Sequence, residues 1–156
     1  MSARRARLLA AAGPAAAAAL GGLATDPDSA WFRQLDKPSW YPPPQTFGIV
    51  WTALYTGIGW AAGRALTRSD GGTRRSFGRA YALNLALNAA WTPLFFRAHR
   101  PALAAVESAA LTVSAADLAR RASGIDLRAG AVLVPYAAWT AFATALSASI
   151  ARRNRR

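Results

Sequence analysis

The sequence predicts an all-α integral membrane protein, a five-transmembrane-helix bundle that forms one domain over residues 1–156. Hydrophobic residues make up 53% of the chain, and charged residues are absent from four long stretches, residues 8–25, 38–63, 80–96 and 129–151. A helix needs about 20 residues to cross a hydrocarbon core of roughly 30 Å, which is near the length of these stretches. The total length leaves little room for a second domain.

The basic charge suggests nucleic acid, but its distribution argues against such a partner. The net charge is +12, from 19 Lys and Arg against 7 Asp and Glu, and basic proteins gain affinity for nucleic acid by releasing phosphate counterions. Here, however, 18 of the 19 basic residues are Arg, in short clusters between the uncharged stretches. We therefore expect a lipid bilayer as the partner and no nucleic acid.

The uncharged stretches place the helices and the loops between them. The predicted helices lie at about residues 8–25, 46–66, 77–96, 101–122 and 129–151. The first could instead be a cleaved signal peptide, and Pro14 predicts a kink within it. Residues 26–45 are predicted as a structured loop, and a loop of that length is often functional. Glu107 and Asp117 interrupt the fourth helix; Glu107 is expected to snorkel or to pair with an Arg, and we assign it no chemistry.

Five crossings would place the two termini on opposite sides of the membrane. Eleven basic residues then fall on the N-terminal side and eight on the other. By the positive-inside rule, this excess favours an N-terminus inside the cell.

Polar and aromatic side chains share one face of the third helix, at steps of three and four residues: Tyr81, Asn84, Asn88, Trp91 and Phe95. Amides inside a membrane must pair or face a polar cavity. The two Asn residues therefore either face a ligand cavity or hydrogen-bond between helices. The stripe as a whole is either helix packing or a pocket wall.

Two further helices carry aromatic stripes. The stripe of the second is Phe47, Trp51 and Tyr55, and that of the fifth is Tyr136, Trp139, Phe142 and Leu146. Tryptophans near helix ends usually anchor at the membrane interface, which explains Trp31, Trp40 and Trp60; Trp51, Trp91 and Trp139 lie deeper in their helices. These residues together predict an aromatic, weakly polar pocket for a flat, largely apolar ligand.

Small residues predict two sites of close helix approach. Gly59 and Gly63 form a Gly-x-x-x-Gly pair on the second helix, and Ala82, Ala86 and Ala90 form a ridge on the third.

Common catalytic and metal-binding patterns are missing from the sequence. It has no Gly-x-Ser-x-Gly, no P-loop, no dinucleotide fingerprint and no acid pair at catalytic spacing. With no Cys and a single His, His99, we expect no metal site; His99 itself is expected to be solvated.

Several motifs, in order along the chain, resemble the TspO/MBR family, also called translocator proteins, tryptophan-rich sensory proteins or peripheral-type benzodiazepine receptors. The matching blocks are Trp31-Phe32-x-x-Leu35-x-Lys37-Pro38-x-Trp40, Phe47-x-x-Val50-Trp51-x-x-Leu54-Tyr55, Leu87-Asn88-x-x-Trp91-Thr92-x-x-Phe95-Phe96 and Pro135-Tyr136-x-x-Trp139-x-x-Phe142. Four positions depart from the common family pattern: Phe32 for Tyr, Thr92 for Ser, Arg97 for Gly and Ser147 for Asn. The C-terminal cholesterol-recognition pattern is also absent, because no Tyr follows Tyr136.

The resemblance implies a homodimer in a bacterial cell membrane, with a ligand pocket beneath the first loop. Family members bind porphyrins and other tetrapyrroles, so porphyrin or haem is a possible ligand, and no cofactor is obligatory. The resemblance places Trp51, Asn88, Trp91 and Trp139 in the pocket, with Phe32, Trp40 and Tyr55 near its mouth. Asn84 and Phe95 are added as candidate site residues because they lie on the same face of the third helix as Asn88 and Trp91. The implied role is sensory, regulatory or transport. The alternative is light-dependent protoporphyrin degradation, with Trp51 and Trp139 as candidate catalytic residues flanking the macrocycle, and a third interpretation is a scaffold for partner proteins.

Overall fold

The computed structural model describes residues 2–155, which form six α-helices and one π-helical segment. The α-helices are α1 Ala3–Ala24, α2 Ala30–Gln34, α3 Pro44–Arg68, α4 Gly71–Thr92, α5 Pro101–Ile125 and α6 Leu127–Arg153. The π-helical segment Pro93–Arg97 continues α4, and no strand occurs between residues 2 and 155. The all-α prediction is confirmed. Met1 and Arg156, the ends of the predicted domain, lie outside the described residues.

The five long helices pack as a closed ring. Around the ring the order is α1, α3, α6, α5 and α4, and α4 packs back against α1. Helices α1 and α3 approach closely at Gly59 and Gly63: a Cβ atom on Gly59 would lie 3.4 Å from the Cα of Ala11. The Tyr81 hydroxyl of α4 donates to the carbonyl of Ala10 at 2.6 Å. Helix α1 therefore packs as one wall of the bundle, against α3 and α4.

The predicted number of helices, five, is wrong, because the loop at residues 26–45 contains the short helix α2. The Ser29 hydroxyl accepts a hydrogen bond from the Phe32 N–H at 3.3 Å and so caps the first turn. At the other end, the Lys37 ammonium donates to the Phe32 carbonyl at 2.7 Å. These local hydrogen bonds order five residues that the prolines and charges nearby had led us to predict as loop.

The long helices also extend beyond most of their predicted bounds, because the predictions relied on uncharged stretches, whereas α1, α3, α4 and α6 continue through arginines that border those stretches. Helix α1 begins at Ala3, where the Ser2 hydroxyl accepts from the Arg5 N–H. Helix α4 begins at Gly71, six residues before the predicted start at residue 77. It turns π-helical at Pro93, where the Ala98 N–H donates to the Pro93 carbonyl at 2.9 Å.

Three of the long helices, α1, α5 and α6, are long and apolar enough to cross a membrane by composition. Helix α4 carries Arg74, Arg75, Arg79 and two Asn residues, and α3 is rich in Gly, Thr and aromatic residues. These residues lower the mean hydropathy of both helices. Composition alone therefore identifies fewer spans than the predicted five.

Asp126 connects the ends of α3, α5 and α6 at the N-terminal side of the bundle. Its own N–H donates to the Ala122 carbonyl of α5 at 2.7 Å. Its side chain is buried, and its carboxylate pairs with Arg64 at 2.7 Å and with Arg68, both on α3. It also accepts from the Ala129 N–H at 3.0 Å, which caps α6. The hydrogen bond from Arg64 is the main reason that the pKa of Asp126 is lowered to about 2.

We expect Asp126→Asn to destabilise the bundle above pH 4 and to flatten its acid unfolding. A carboxyl whose pKa is lowered by folding stabilises the protein above its unfolded pKa, near 3.8, and loses that contribution as the pH falls towards 2. Thermal unfolding in detergent between pH 2 and pH 7 measures this. Asp28→Asn is the control, because Asp28 is exposed and makes no ion pair with the described residues. An unchanged pH dependence in Asp126→Asn would contradict the prediction.

Candidate ligand site

A chain of hydrogen bonds crosses the interior between four helices. The Tyr55 hydroxyl donates to Asn88 Oδ1 at 2.7 Å, and Asn88 Nδ2 donates to the Tyr136 hydroxyl at 3.2 Å. The Tyr136 hydroxyl donates to Asn84 Oδ1 at 2.9 Å, and Asn84 Nδ2 donates to Ser114 Oγ at 3.2 Å. We call these five residues the polar chain. It connects α3, α4, α5 and α6.

Both amides of the polar chain are used within the protein. Asn84 is 0% exposed and Asn88 is 6% exposed, and the oxygen and nitrogen of each amide have a partner. Of the two interpretations of the Asn pair, this geometry favours hydrogen bonding between helices. Asn88 Oδ1 and Nδ2 each keep one further hydrogen-bonding position, but the side chain is only 6% exposed, so a ligand could reach it only if neighbouring side chains moved.

A cluster of aromatic rings lies between the polar chain and the loop at residues 26–45. Its buried centre consists of Phe32 from α2 with Phe95 and Phe96 from the π-helical segment; the ring centroids of Phe32 lie 6.2 Å and 5.2 Å from those of the other two. The Trp91 ring stacks on Phe95 at 5.0 Å. The Trp139 ring lies 5.0 Å from Phe142 and 6.0 Å from Phe47. We refer to these seven residues as the aromatic cluster; it brings α2, α3, α4 and α6 together.

Two contacts fix the loop over the aromatic cluster. The Lys37 ammonium lies 4.3 Å from the centroid of the Phe32 ring, a cation–π contact. At the end of α6, Asn154 accepts from the Asp36 N–H and donates to the Asp36 carbonyl, each at 3.0 Å. The loop therefore has a defined position above the cluster.

Three residues inside the bundle hold buried polar atoms that have no hydrogen-bond partner among residues 2–155: Trp91 Nε1, Trp139 Nε1 and both carboxylate oxygens of Glu107. A buried polar group without a partner is destabilising, and such groups often mark a functional site. Two indole donors and one carboxyl are thus available to a bound molecule.

Glu107 does not behave as the sequence led us to expect. It is 9% exposed and makes no ion pair within the described chain, so the expectation that it snorkels or pairs with an Arg is wrong. Asn84 meets Ser114 between the antiparallel helices α4 and α5. Trp91 lies seven residues after Asn84, and Glu107 lies seven residues before Ser114. Glu107 and Trp91 therefore occupy the same level, roughly 10 Å from the Asn84–Ser114 contact.

The sequence of the whole bundle matches a known family. The model of the TspO/MBR family matches residues 10–153. The chain belongs to the TspO/MBR family. It is 36% identical over 138 residues to the tryptophan-rich sensory protein of Cereibacter sphaeroides, covering 88% of this chain and 85% of that protein. It is 34% identical over 126 residues to the human translocator protein, covering 80% and 75% of the two chains.

A third relative is the tryptophan-rich protein TspO of Bacillus cereus, which is 32% identical over 124 residues and covers 79% of this chain and 80% of that protein. The resemblance noted in the sequence is therefore confirmed. As a member of the TspO/MBR family, the chain is a membrane protein.

In this TspO/MBR chain, the predicted site residues fall into two adjoining groups. Tyr55, Asn84 and Asn88 belong to the polar chain, and the Trp51 ring stacks on Tyr55 at 5.2 Å. Phe32, Trp91, Phe95 and Trp139 belong to the aromatic cluster. Trp40 is the outermost, 46% exposed, with its ring 5.8 Å from Phe142.

Sequence reasoning left three interior residues out of the site: Tyr136, Ser114 and Glu107. Tyr136 was on the predicted stripe of its helix, and its hydroxyl connects the two Asn residues. Ser114 and Glu107 also lie seven residues apart, which places them on one face of α5. That spacing, together with the presence of an acid inside an apolar helix, was the feature of the sequence that could have identified Ser114 and Glu107 as site residues.

Two surface recesses lie away from these residues. One, of about 690 Å³, lies on the outer face of α3 beside Gly48, Thr52 and Thr56. The other, of about 500 Å³, lies between α4 and α5.

No group of three or more His or acidic residues within residues 2–155 is placed to hold a metal ion.

Proposed function

We propose that this protein binds a porphyrin or a similar flat tetrapyrrole within the membrane, in a pocket bounded by the aromatic cluster and the polar chain, and that it serves a sensory, regulatory or transport role. Membership of the TspO/MBR family supports the class of protein. The names of the relatives, tryptophan-rich sensory protein and translocator protein, support the role.

The observation that carries the proposal is the pair of unpartnered indole N–H groups on Trp91 and Trp139. A porphyrin offers flat faces to aromatic rings, carboxylate acceptors on its side chains and N–H donors at its centre. The two indoles would donate to the carboxylate acceptors on its side chains. In the present packing the rings contact one another, so the ligand would enter by moving the loop and the Phe32 ring.

The alternative activity, light-dependent breakdown of protoporphyrin, would use the same pocket. Trp51 on α3 and Trp139 on α6 would flank the macrocycle. Both rings pack on other aromatic residues of the site: Trp51 on Tyr55 and Tyr136, and Trp139 on Phe47 and Phe142. We propose ligand binding as the primary function, because binding must precede breakdown.

A titration of the purified protein with protoporphyrin, in the dark and under illumination, tests both functions. We expect a saturable shift of the Soret band and quenching of tryptophan fluorescence in the dark. Loss of the Soret band only in the light, and faster than with free porphyrin, would establish the breakdown activity. A titration without saturation in either condition would contradict the proposed ligand class.

We also propose that all five long helices cross the membrane. Their closed ring supports this proposal. Helices α3 and α4 pack in the same bundle as α1, α5 and α6, the three helices that are long and apolar enough to cross a membrane. Five crossings would place the ends of the chain on opposite sides. Reporter proteins fused to each terminus should then report opposite compartments. Reporters on the same side would contradict five crossings.

We propose a homodimer formed through the small-residue ridge of α4. Ala82 and Ala86 are exposed and Ala90 is half-buried, so the outer face of this helix is open to a second copy. Small side chains let helix backbones approach closely in a membrane. Ala86→Leu should therefore weaken the dimer measured by cross-linking in detergent, with porphyrin affinity kept within a few fold. Ala109→Leu, on the exposed face of α5, is the control; undiminished Ala86→Leu dimers would place the interface elsewhere.

A further inference from the structure

A recess between α4 and α5 concentrates positive charge near the N-terminal end of the bundle. It has a volume of about 500 Å³, and its lining includes Arg75, Ser76, Arg79, Leu83, Asp117 and Arg121. We call it the basic groove. Its volume lies within the range of small-molecule sites, about 300–1,000 Å³.

Hydrogen bonds hold one wall of the basic groove in place. Arg121 donates from Nε to Asp117 at 2.5 Å and from Nη1 to the Ser76 hydroxyl at 2.8 Å. Because the Ser76 oxygen accepts this bond, its own O–H remains available as a donor. Asp117 is also paired with Arg120 at 2.6 Å, so two guanidinium groups share its single charge.

The other wall carries two cations without counterions. Arg75 and Arg79 are exposed, and no acidic side chain of the described residues lies within ion-pairing distance of either one. They stand four residues apart, on one face of α4. The basic groove therefore has an excess of positive charge that the protein itself does not neutralise.

An apolar surface continues from the basic groove towards the middle of the bundle. Leu83 lines the inner end of the groove and is 60% exposed. It lies one helical turn beyond Arg79. Cationic side chains at one end and an exposed apolar side chain at the other match the two parts of a phospholipid, because basic pockets between membrane helices bind anionic head groups.

We propose that the basic groove binds an anionic phospholipid, with its phosphate between Arg75 and Arg79 and an acyl chain along Leu83. The Ser76 hydroxyl would donate to a phosphate oxygen, and the guanidinium groups would supply charge-assisted bonds. This site is separate from the proposed ligand pocket: Arg79 and Phe95 lie 16 residues apart on the same helix, about 24 Å by the standard rise. The proposal requires that α4 crosses the membrane, but it does not depend on what the pocket binds.

Native mass spectrometry of the purified protein, titrated with phosphatidylglycerol, tests the proposal. Each cation near an anionic surface contributes a factor of about five in affinity, so Arg75→Gln/Arg79→Gln should weaken binding about 25-fold. The matched control is Arg4→Gln/Arg5→Gln, which removes the same charge from exposed positions at the same end of the bundle. It should change binding less than threefold.

Two further arms of the experiment identify the ligand. Phosphatidylcholine should bind weakly and equally to all variants, because its head group has no net charge. Glycerol phosphate without acyl chains should not compete at the concentrations at which phosphatidylglycerol binds. Equal losses in the two double variants, or competition by glycerol phosphate at those concentrations, would overturn the assignment. Porphyrin affinity should be unchanged in Arg75→Gln/Arg79→Gln, so this result is separate from the test of the pocket.

Discussion

Protoporphyrin binding is expected to weaken tenfold or more when either Trp51 or Trp139 is replaced by alanine. Stacking on an indole ring contributes about 1 kcal/mol beyond the area that it buries, and the truncation also removes buried contacts. A total of about 1.4 kcal/mol corresponds to a factor of ten in affinity. For Trp139 the loss also removes one of the two unpartnered indole donors, so we expect Trp139→Ala to have the larger effect.

The structure provides a matched control for this prediction in Trp60. This residue lies on α3, the same helix as Trp51, but it is 46% exposed. Among the aromatic and cation–π contacts of residues 2–155, its ring makes only one, with the Arg64 guanidinium at 4.8 Å. Trp60→Ala should leave porphyrin affinity within about twofold. Trp31 is unsuitable as a control, although the sequence suggested an interfacial role, because its ring packs 5.5 Å from Phe95. Unchanged binding in both Trp51→Ala and Trp139→Ala, measured by the Soret shift, would rule out this pocket.

The sequence was sufficient to predict the long helices, because uncharged stretches near the thickness of a bilayer leave few other structures open to the chain. The ends of those helices were less predictable. Arginines near the N-terminal ends of α1 and α4 interrupt the apolar pattern and so predict later starts, yet Arg is a good helix former and both helices include these residues. The short helix α2 depends on the hydrogen bonds that Ser29 and Lys37 make at its two ends. The spacing of apolar residues does not reveal such local hydrogen bonds.

The side chains that share a helix face were predictable from spacing, whereas their partners on other helices were not. Asn84 and Asn88 lie on one face as predicted, but their bonds to Ser114, Tyr55 and Tyr136 depend on how four helices are arranged. His99 was expected to be solvated; it is exposed, but its ring also stacks on Trp31 at 4.2 Å. Such contacts are set by tertiary packing.

The main expected effect of Asn88→Leu is a loss of thermal stability of the bundle, with a smaller effect on ligand binding. The substitution removes the acceptor of the Tyr55 hydroxyl, while Tyr136 still donates to Asn84. Leaving a buried donor without a partner costs about 1–3 kcal/mol in soluble proteins, and measured interhelical bonds in membranes average about 0.6 kcal/mol. We therefore expect a loss of about 1–2 kcal/mol, measured by unfolding in detergent.

A double-mutant cycle with Tyr55→Phe separates the structural role of Asn88 from a role in binding. In the Asn88→Leu protein the Tyr55 hydroxyl has lost its acceptor, so adding Tyr55→Phe should recover part of the lost stability, and the two changes should be non-additive. If Asn88 instead donates directly to the porphyrin, affinity should fall by a similar factor with and without Tyr55→Phe, and stability should stay near that of the wild type. Because Oδ1 and Nδ2 of Asn88 are already bonded to tyrosines on α3 and α6, we expect the first result: a stability loss that Tyr55→Phe partly reverses.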